Sequence, residues 1–342
     1  MSVITAATGL IERLPFPDAV TRFGIAHLVG RTHRRMAMAP SDINTAFAAA
    51  MTAHPIAEHT ADANAQHYEL PEAFFGLVLG PHRKYSSCLY RTTQDTLAQA
   101  EANALLETCA HADVQDGQDI LELGCGWGSL SLWMAEKYPH ARITAVSNSH
   151  SQRHYILATA QALGLANLDV VTADMNDFET TVRFDRVVSV EMFEHMANWN
   201  ALLARVRRWL RADGRLFLHV FTHIAAPYRF DATDPADWIA RHFFTGGIMP
   251  SHNLIRSFPQ EFSLEQDWRW DGRHYQRTAR DWLANFDANE QRIITLLQGV
   301  YGAEAGLWHR RWRLFFLAVE GLFGHADGAA WGVSHYRLAP TA

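Results

Sequence analysis

The stretch Ile120-Leu121-Glu122-Leu123-Gly124-Cys125-Gly126-Trp127-Gly128-Ser129-Leu130 decides the fold. Apolar residues run into three alternating glycines and then into the helix-compatible segment Ser129 to Lys137, which describes a strand, a tight turn and a helix N-terminus. Glycine serves there because a missing Cβ admits strained backbone angles and lets a ligand approach the main chain. A ligand is therefore expected on the turn. The G-x-G-x-G spacing is not the G-x-G-x-x-G of a nicotinamide dehydrogenase, and no G-x-x-x-x-G-K-[ST] loop occurs, so the ligand need not be a dinucleotide.

Outward from the turn, strands are expected at Arg142 to Ser149, Leu168 to Asp174, Asp185 to Val190 and Gly214 to His223, with helices at Asp95 to Cys109 and Ser129 to Lys137. This rhythm predicts an α/β fold, a doubly wound and mostly parallel sheet. Residues 1–66 read as an N-terminal helical cover. Asp18 is expected to cap a segment turning Val20, Phe23, Ile25, Leu28 and Val29 to one side, and Ser41 or Asp42 to cap Ile43 to Met51. The basic run Arg31 to Arg35 beside apolar residues gives that cover a second reading, as a membrane-surface helix. Residues 67–342 form the main domain. Its aromatic-rich segment, about 224–277, reads as an inserted helical lid, since loops of this length are usually functional. Two long helices, about Thr278 to Tyr301 and Ala303 to Phe323, and a last strand, Trp331 to Leu338, complete the chain. Without repeats, low-complexity tracts or flexible linkers, one compact unit is expected.

Composition narrows the function. The chain has 342 residues, 48% hydrophobic and 19% charged, with a formal net charge of −6. Nucleic acid is not expected as a partner, because phosphate binding needs clustered cations and only Arg31 to Arg35 is dense. The three cysteines, Cys88, Cys109 and Cys125, fit neither a disulfide framework nor a zinc site, which suggests a reducing compartment. The N-terminus lacks a signal-peptide pattern and no apolar run reaches the ~20 residues that span a bilayer, so the expected location is cytoplasmic. No metal site is expected, because His195, His219 and His223 lack the H-x-x-x-H spacing.

The motif E-L-G-C-G-W-G resembles the first motif of class I S-adenosylmethionine (SAM) dependent methyltransferases, and its tryptophan form looks like the cyclopropane-fatty-acid synthase superfamily. The resemblance runs from about His67 to the C-terminus, and it implies that the mostly parallel sheet is seven-stranded and Rossmann-like. It implies SAM as cofactor, held by Tyr85 and Ser86 at the methionine end, by Gly124, Gly126 and Gly128 on the turn, and by Asn148, Ser149 and Gln152 near ribose and adenine. Asp174 would accept from the adenine amine while Met175 covers the ring. In the family a cysteine usually follows the Tyr-Ser pair, whereas here Ser87 does and Cys88 comes one later.

Two branches fit. The segments at 191–196, 243–251, 281–289 and 323–335 look like the coclaurine N-methyltransferase-like branch, which methylates nitrogen in small, often aromatic amines. The cyclopropane synthases, which act on an unsaturated acyl chain, hold bicarbonate with Cys, Glu, His and Tyr; these would map onto Ser87, Glu194, His219 and Tyr275, with the cysteine lost. The plant N-methyltransferases tend to carry Glu where His219 stands, so the chain departs from both patterns. The amine branch is the preferred reading, with a small-molecule amine as partner and a homodimer left open. A SAM-binding regulator on the same fold is a third reading, since fold does not fix function.

The densest functional group is Glu191-Met192-Phe193-Glu194-His195-Met196 at a strand's carboxyl end, where open parallel sheets bind ligands. An aliphatic amine with a pKa of ~10 arrives protonated and must lose a proton before it can attack a methyl group. His195 is the expected general base and Glu194 the expected holder of the cationic amine; Glu191 serves either amine or cofactor. His219, Phe244, Tyr275 and Trp331 are expected to face the substrate, the aromatics meeting its cation.

Overall fold

The computed structural model describes Glu12 and residues 16–58, 70–234 and 237–341. The expected boundary at 66/67 and the first eleven residues of the cover lie outside the described residues.

Seven strands form one sheet in the order β3-β2-β1-β4-β5-β9-β8, and the two-residue strands β6 (Tyr228–Arg229) and β7 (Ile248–Met249) pair separately. Strands β1 (Asp119–Leu123), β2 (Arg142–Ser147), β3 (Leu168–Thr172), β4 (Phe184–Val190) and β5 (Leu210–His223) are parallel, while β9 (Trp331–Pro340) runs antiparallel to β5, and β8 (Phe262–Asp271) antiparallel to β9. Strand β1 is buried along its whole length. The sheet switches direction of winding between β1 and β4, and the crevice above that point is where such sheets take ligands.

Helices α4 (Leu97–His111), α5 (Ser129–Lys137) and α6 (His150–Ala162) lie among the elements that cover one face, and α7 (Trp199–Trp209) packs on the other. Helix α4 starts at Thr96, not Asp95: Thr96 and Gln99 form a reciprocal capping box. Above the strand ends sits an aromatic cap from α3 (Glu72–Val78), α9 (Gly272–Ala288), α10 (Glu290–Tyr301) and α11 (Ala305–Phe323), in which Phe74, Phe75, Trp282, Phe286, Trp312 and Phe316 are buried together. The continuous helix expected from Thr278 is two helices, broken at Asn289, whose backbone (φ −108°, ψ 19°) leaves the helical region.

Helix α1 (Asp18–Ala37) lies on α11, pinned by Arg22 to Glu320 (2.8 Å) and by Arg313 to Asp18 (2.5 Å). Its apolar side is not the expected one: Val29 is buried, but Val20 and Phe23 are 52% and 78% exposed. Asp18 is the first helical residue rather than the cap, which is Pro17, and Asp42 precedes α2 (Ile43–Met51) without a capping bond from its side chain. The inserted segment also differs from expectation. Before Gly272, where α9 begins, its only α-helix among the described residues is the five-residue α8 (Trp238–His242), and from Phe262 the chain has already returned to the sheet as edge strand β8.

Candidate active site

The three glycines of the turn all have positive φ (77°, 53° and 78°), so each sits where an L side chain is strained. Their surroundings differ. A Cβ at Gly124 would lie 2.5 Å from Met192, and one at Gly128 2.6 Å from Ile156, whereas at Gly126 it would meet nothing within 4 Å. Gly128 is thus a close-packing position at the start of α5, and Gly126 opens onto empty space.

That space is a cavity of about 1270 Å³, partly open to solvent, walled by Tyr85, Ser86, Gly124, Gly126, Trp127, Ser129 and Gln152 on one side and by His195, Phe244, Tyr275, Trp282 and Phe323 on the other. A second cavity of about 760 Å³ continues past Gly124, Gly126 and Gln152 to Asn148, Asp174 and Met175. Glu191 and His195 line both, at their junction.

Three buried donors on the cavity wall, Ser129 Oγ, Trp127 Nε1 and Gln152 Nε2, have no hydrogen-bond partner among the described residues. Buried polar atoms are nearly always paired, so these await a ligand with acceptor oxygens or nitrogens. The orientation of Gln152 is built in. Ser147 Oγ accepts from Ser149 N (3.0 Å), which leaves its proton for Gln152 Oε1 (2.6 Å) and leaves the Gln152 amino group unpaired at the cavity. An open glycine, orphaned donors and a polar second chamber fit a ligand carrying a carboxylate, ribose hydroxyls and a purine.

Glu191 closes strand β4 at φ +48°, a strained value for a non-glycine residue, of the kind found at functional sites. Its carboxylate receives Ser87 N (2.9 Å) and His219 Nε2 (3.3 Å) on Oε1, and Tyr275 Oη (2.7 Å) on Oε2. Glu194, three residues on, is fully buried and off the cavity wall; its Oε1 accepts from Phe221 N (2.6 Å) and its Oε2 has no partner among the described residues. Burial raises the pKa of both carboxyls, Glu194 well above its usual range because the neighbouring Glu191 charge adds to desolvation, while Lys84, Ser87 N–H and Tyr275 oppose the rise at Glu191. The balance of these effects favours the charge on Glu191 and the proton on Glu194.

The structure therefore brings most of the expected residues together but leaves five off the cavity wall. Gly128 packs on Ile156. Ser149 caps α6 through Gln152 N. Glu194 points into the β5 backbone, because the short 3-10 turn Phe193–His195 directs it inward. His219, fully buried, stands behind Glu191. Trp331 packs instead among His33, His223 and His325, with ring centroids 4.9 to 5.8 Å away. Several wall residues carried no expected role. Lys84 is buried and donates to Ser86 Oγ (2.5 Å) and Ser87 O (2.6 Å), its pKa lowered by desolvation. Glu122, bonded to Ser131, is pushed up to about 8 by burial. A charged residue inside an apolar strand and a lysine beside the Tyr-Ser pair were the available signals.

With this geometry in view, comparison with known proteins is decisive. The family model described as mycolic acid cyclopropane synthetase matches residues 57–326. The chain belongs to that family of SAM-dependent methyltransferases. It is an enzyme of the methyltransferase class. Among its relatives, it is 34% identical to (S)-coclaurine N-methyltransferase of Thalictrum flavum subsp. glaucum over 275 residues, 79% of this chain and 76% of that one. Pavine N-methyltransferase of the same plant is 30% identical, covering 84% and 82%. A crystal structure of coclaurine N-methyltransferase bound to N-methylheliamine and S-adenosylhomocysteine superposes with a TM-score of 0.91 at 31% identity, over 99% of this chain and 100% of that one. A cyclopropane synthase from Mycobacterium tuberculosis shares the fold more distantly, with a TM-score of 0.70 at 23% identity over 83% of this chain and 99% of that one. Among the described residues no helix is long and apolar enough to cross a membrane.

Proposed function

We propose that this enzyme transfers a methyl group from SAM to the nitrogen of a small aromatic or heterocyclic amine. One observation carries the reading: Glu191 is a buried carboxylate, held by three donors, with no Lys or Arg within salt-bridge distance among the described residues, and it faces a cavity lined by Phe244, Tyr275, Trp282 and Phe323. A buried charge needs a counter-charge, and a protonated amine with an aromatic body supplies it.

SAM, when bound, supplies an electrophilic methyl group. Gly126, Ser129, Trp127 and Gln152 would hold it in the first chamber, and Asn148, Asp174 and Met175 would hold its adenosine part in the second. Glu191 draws in the cationic amine and offsets positive charge at nitrogen. His195, at the chamber junction with its ring 4.3 Å from that of Phe244, takes the amine proton as general base. The amine-holding role thus moves from Glu194 to Glu191, and Glu194 supports it from behind as a neutral acid. The aromatic walls exclude water and hold the nucleophile in line, which is most of what a methyl transfer requires.

The acyl-chain reading is weaker for a structural reason. Ser87 N, His219 Nε2 and Tyr275 Oη, from the set expected to hold bicarbonate, all donate to the Glu191 side chain instead. The test offers methyl-labelled SAM in parallel to a panel of aromatic amines and to unsaturated phospholipid vesicles. Label in an aqueous amine is expected; label extracted with lipid overturns the reading.

A further inference from the structure

Behind Glu191 lies a string of three histidines from elements far apart in sequence. His219 Nε2 meets Glu191 Oε1 at 3.3 Å, His219 Nδ1 meets His335 Nε2 at 2.8 Å, and His335 Nδ1 meets His111 Nδ1 at 2.7 Å. The string ends at the surface, where His111 Nε2 is 3.4 Å from Glu107 Oε1. His219 and His335 are fully buried and directly opposed across the antiparallel β5–β9 pair, and His111 is the last residue of α4.

Proton counting gives the string a direction. Desolvation lowers the pKa of all three rings, those of His219 and His335 well below the usual range, so each is neutral and carries one N–H. Three imidazoles between two carboxylates make four contacts, and three protons fill only three of them. An empty contact within the string sets two imidazole lone pairs against each other at 2.7 or 2.8 Å in a buried site, and an empty contact at either end sets a lone pair against a carboxylate. Inside the string and at the Glu191 end, shielded from bulk water, that is costly; at the Glu107 end, with its carboxylate side chain 32% exposed, both groups can turn to solvent instead. The empty contact therefore sits at the surface, and every N–H in the string points inward: His111 Nδ1–H to His335, His335 Nε2–H to His219, His219 Nε2–H to Glu191.

Packing fixes the orientation of the rings, so the same nitrogens stay in contact. Trp268 stacks on His111 (centroids 3.8 Å, 7° between planes), Phe217 and Trp270 flank His335 at 5.1 and 4.4 Å, and Trp270 stands edge-on to His219 at 5.3 Å.

We infer that His335 and His111 are positioning residues: they fix the tautomer of His219 so that its Nε2–H is always presented to Glu191, keeping that side chain the ionised acceptor that faces the amine. The catalytic consequence rests on the amine reading above; the tautomer itself does not. Its measurement is ¹⁵N-edited NMR of ¹⁵N-histidine-labelled protein without substrate, paired with turnover of His335→Phe and His335→Gln. Gln retains a donor where His335 Nε2–H stood, and Phe retains only the bulk. Expected are a neutral Nε2–H tautomer at His219 in the natural protein and in His335→Gln, and loss of that single tautomer in His335→Phe. With the labelled amine, His335→Phe is expected to lose about tenfold in kcat/KM, mainly in KM, and His335→Gln to recover most of it. S-adenosylhomocysteine affinity is expected to be unchanged in both, which reports that they fold. An Nδ1–H tautomer at His219 in the natural protein overturns the inference, as does a His335→Phe variant with unaltered tautomer and kinetics. If no amine is methylated by any variant, the functional reading fails while the NMR result still decides this one.

Discussion

Glu191→Gln isolates the charge that the amine reading requires. The substitution keeps the shape and most of the hydrogen bonds. Ser87 N and His219 Nε2 both point at Oε1, so the new amide places its oxygen there, and its amino group falls opposite Tyr275, whose hydroxyl can turn and accept. The fold should tolerate the change. What disappears is attraction for a cation. A unit charge ~4 Å away at an effective dielectric near 20 contributes roughly 4 kcal/mol, which desolvation of the bound cation offsets in part. A loss of about two powers of ten in kcat/KM for the amine follows, shared between KM and kcat, because the charge acts on the bound cation and on nitrogen as it reacts. Initial-rate kinetics with labelled SAM, beside calorimetric affinity for S-adenosylhomocysteine, make the measurement. Cofactor affinity should stay within threefold. If kcat/KM stays within threefold too, or if it falls only in proportion to lost cofactor binding, Glu191 is not the amine's counter-charge and the reasoning fails. Glu194→Gln is the paired control: an amide resembles the neutral acid already inferred there, so activity should remain within about tenfold.

Four further outcomes are expected. His195→Ala should lower methyl transfer by about two to four powers of ten with cofactor affinity retained, as measured by the same two assays. Gly126→Ala should weaken S-adenosylhomocysteine binding and cost about 1 kcal/mol of stability through its positive φ alone, whereas Gly128→Ala, whose Cβ also meets Ile156 at 2.6 Å, should cost more, about 2 to 3 kcal/mol, in urea titrations. Glu122, pushed up to about 8 by burial, binds its proton more tightly in the folded chain than in the unfolded one. Between pH 4.5 and 8 the folded state therefore holds the extra proton, stability falls as pH rises by up to about 1.4 kcal/mol per unit from this group, and Glu122→Gln should flatten that slope in urea midpoints at pH 5.5 and 8. Arg313→Ala, which releases Asp18 of α1 and Asp287 of α9 at once, should cost only about 1 kcal/mol, because all three side chains are partly solvated.

The residues that announce the fold do so locally. The glycine turn, the start of α5 at Ser129 and the strands β1 and β4 were legible because each is a short run whose neighbours in sequence decide its conformation. Strand β8 was not: as an edge strand it buries only Phe262 and Trp270 of ten residues, too few to show a two-residue alternation among its charges. Which of Glu191 and Glu194 reaches the cavity was hidden for a different reason. Both stand at one strand end, and which of them faces the cavity is set by the +48° φ of Glu191 and the 3-10 turn that follows, a backbone detail with no compositional signature. The His219–His335 contact joins residues 116 positions apart, through a register that only the assembled sheet determines.

Placing the charge on Glu191 and the proton on Glu194 also bears on substrate choice. An acyl chain in this cavity would lay methylene groups against an ionised carboxylate and leave it without a counter-charge, at a cost of several kcal/mol unless Glu191 took up a proton. Taking up that proton would leave Tyr275, Ser87 N and His219 donating to a neutral acid, weakening three charge-assisted bonds together. A protonated amine avoids both penalties, since its charge compensates the carboxylate while its aromatic body meets Phe244, Trp282 and Phe323. The arrangement that attracts the amine also opposes its deprotonation, because Glu191 stabilises the ammonium form. That is why a separate acceptor is required beside it, and His195, on the same wall and at the junction of both chambers, is placed to be one.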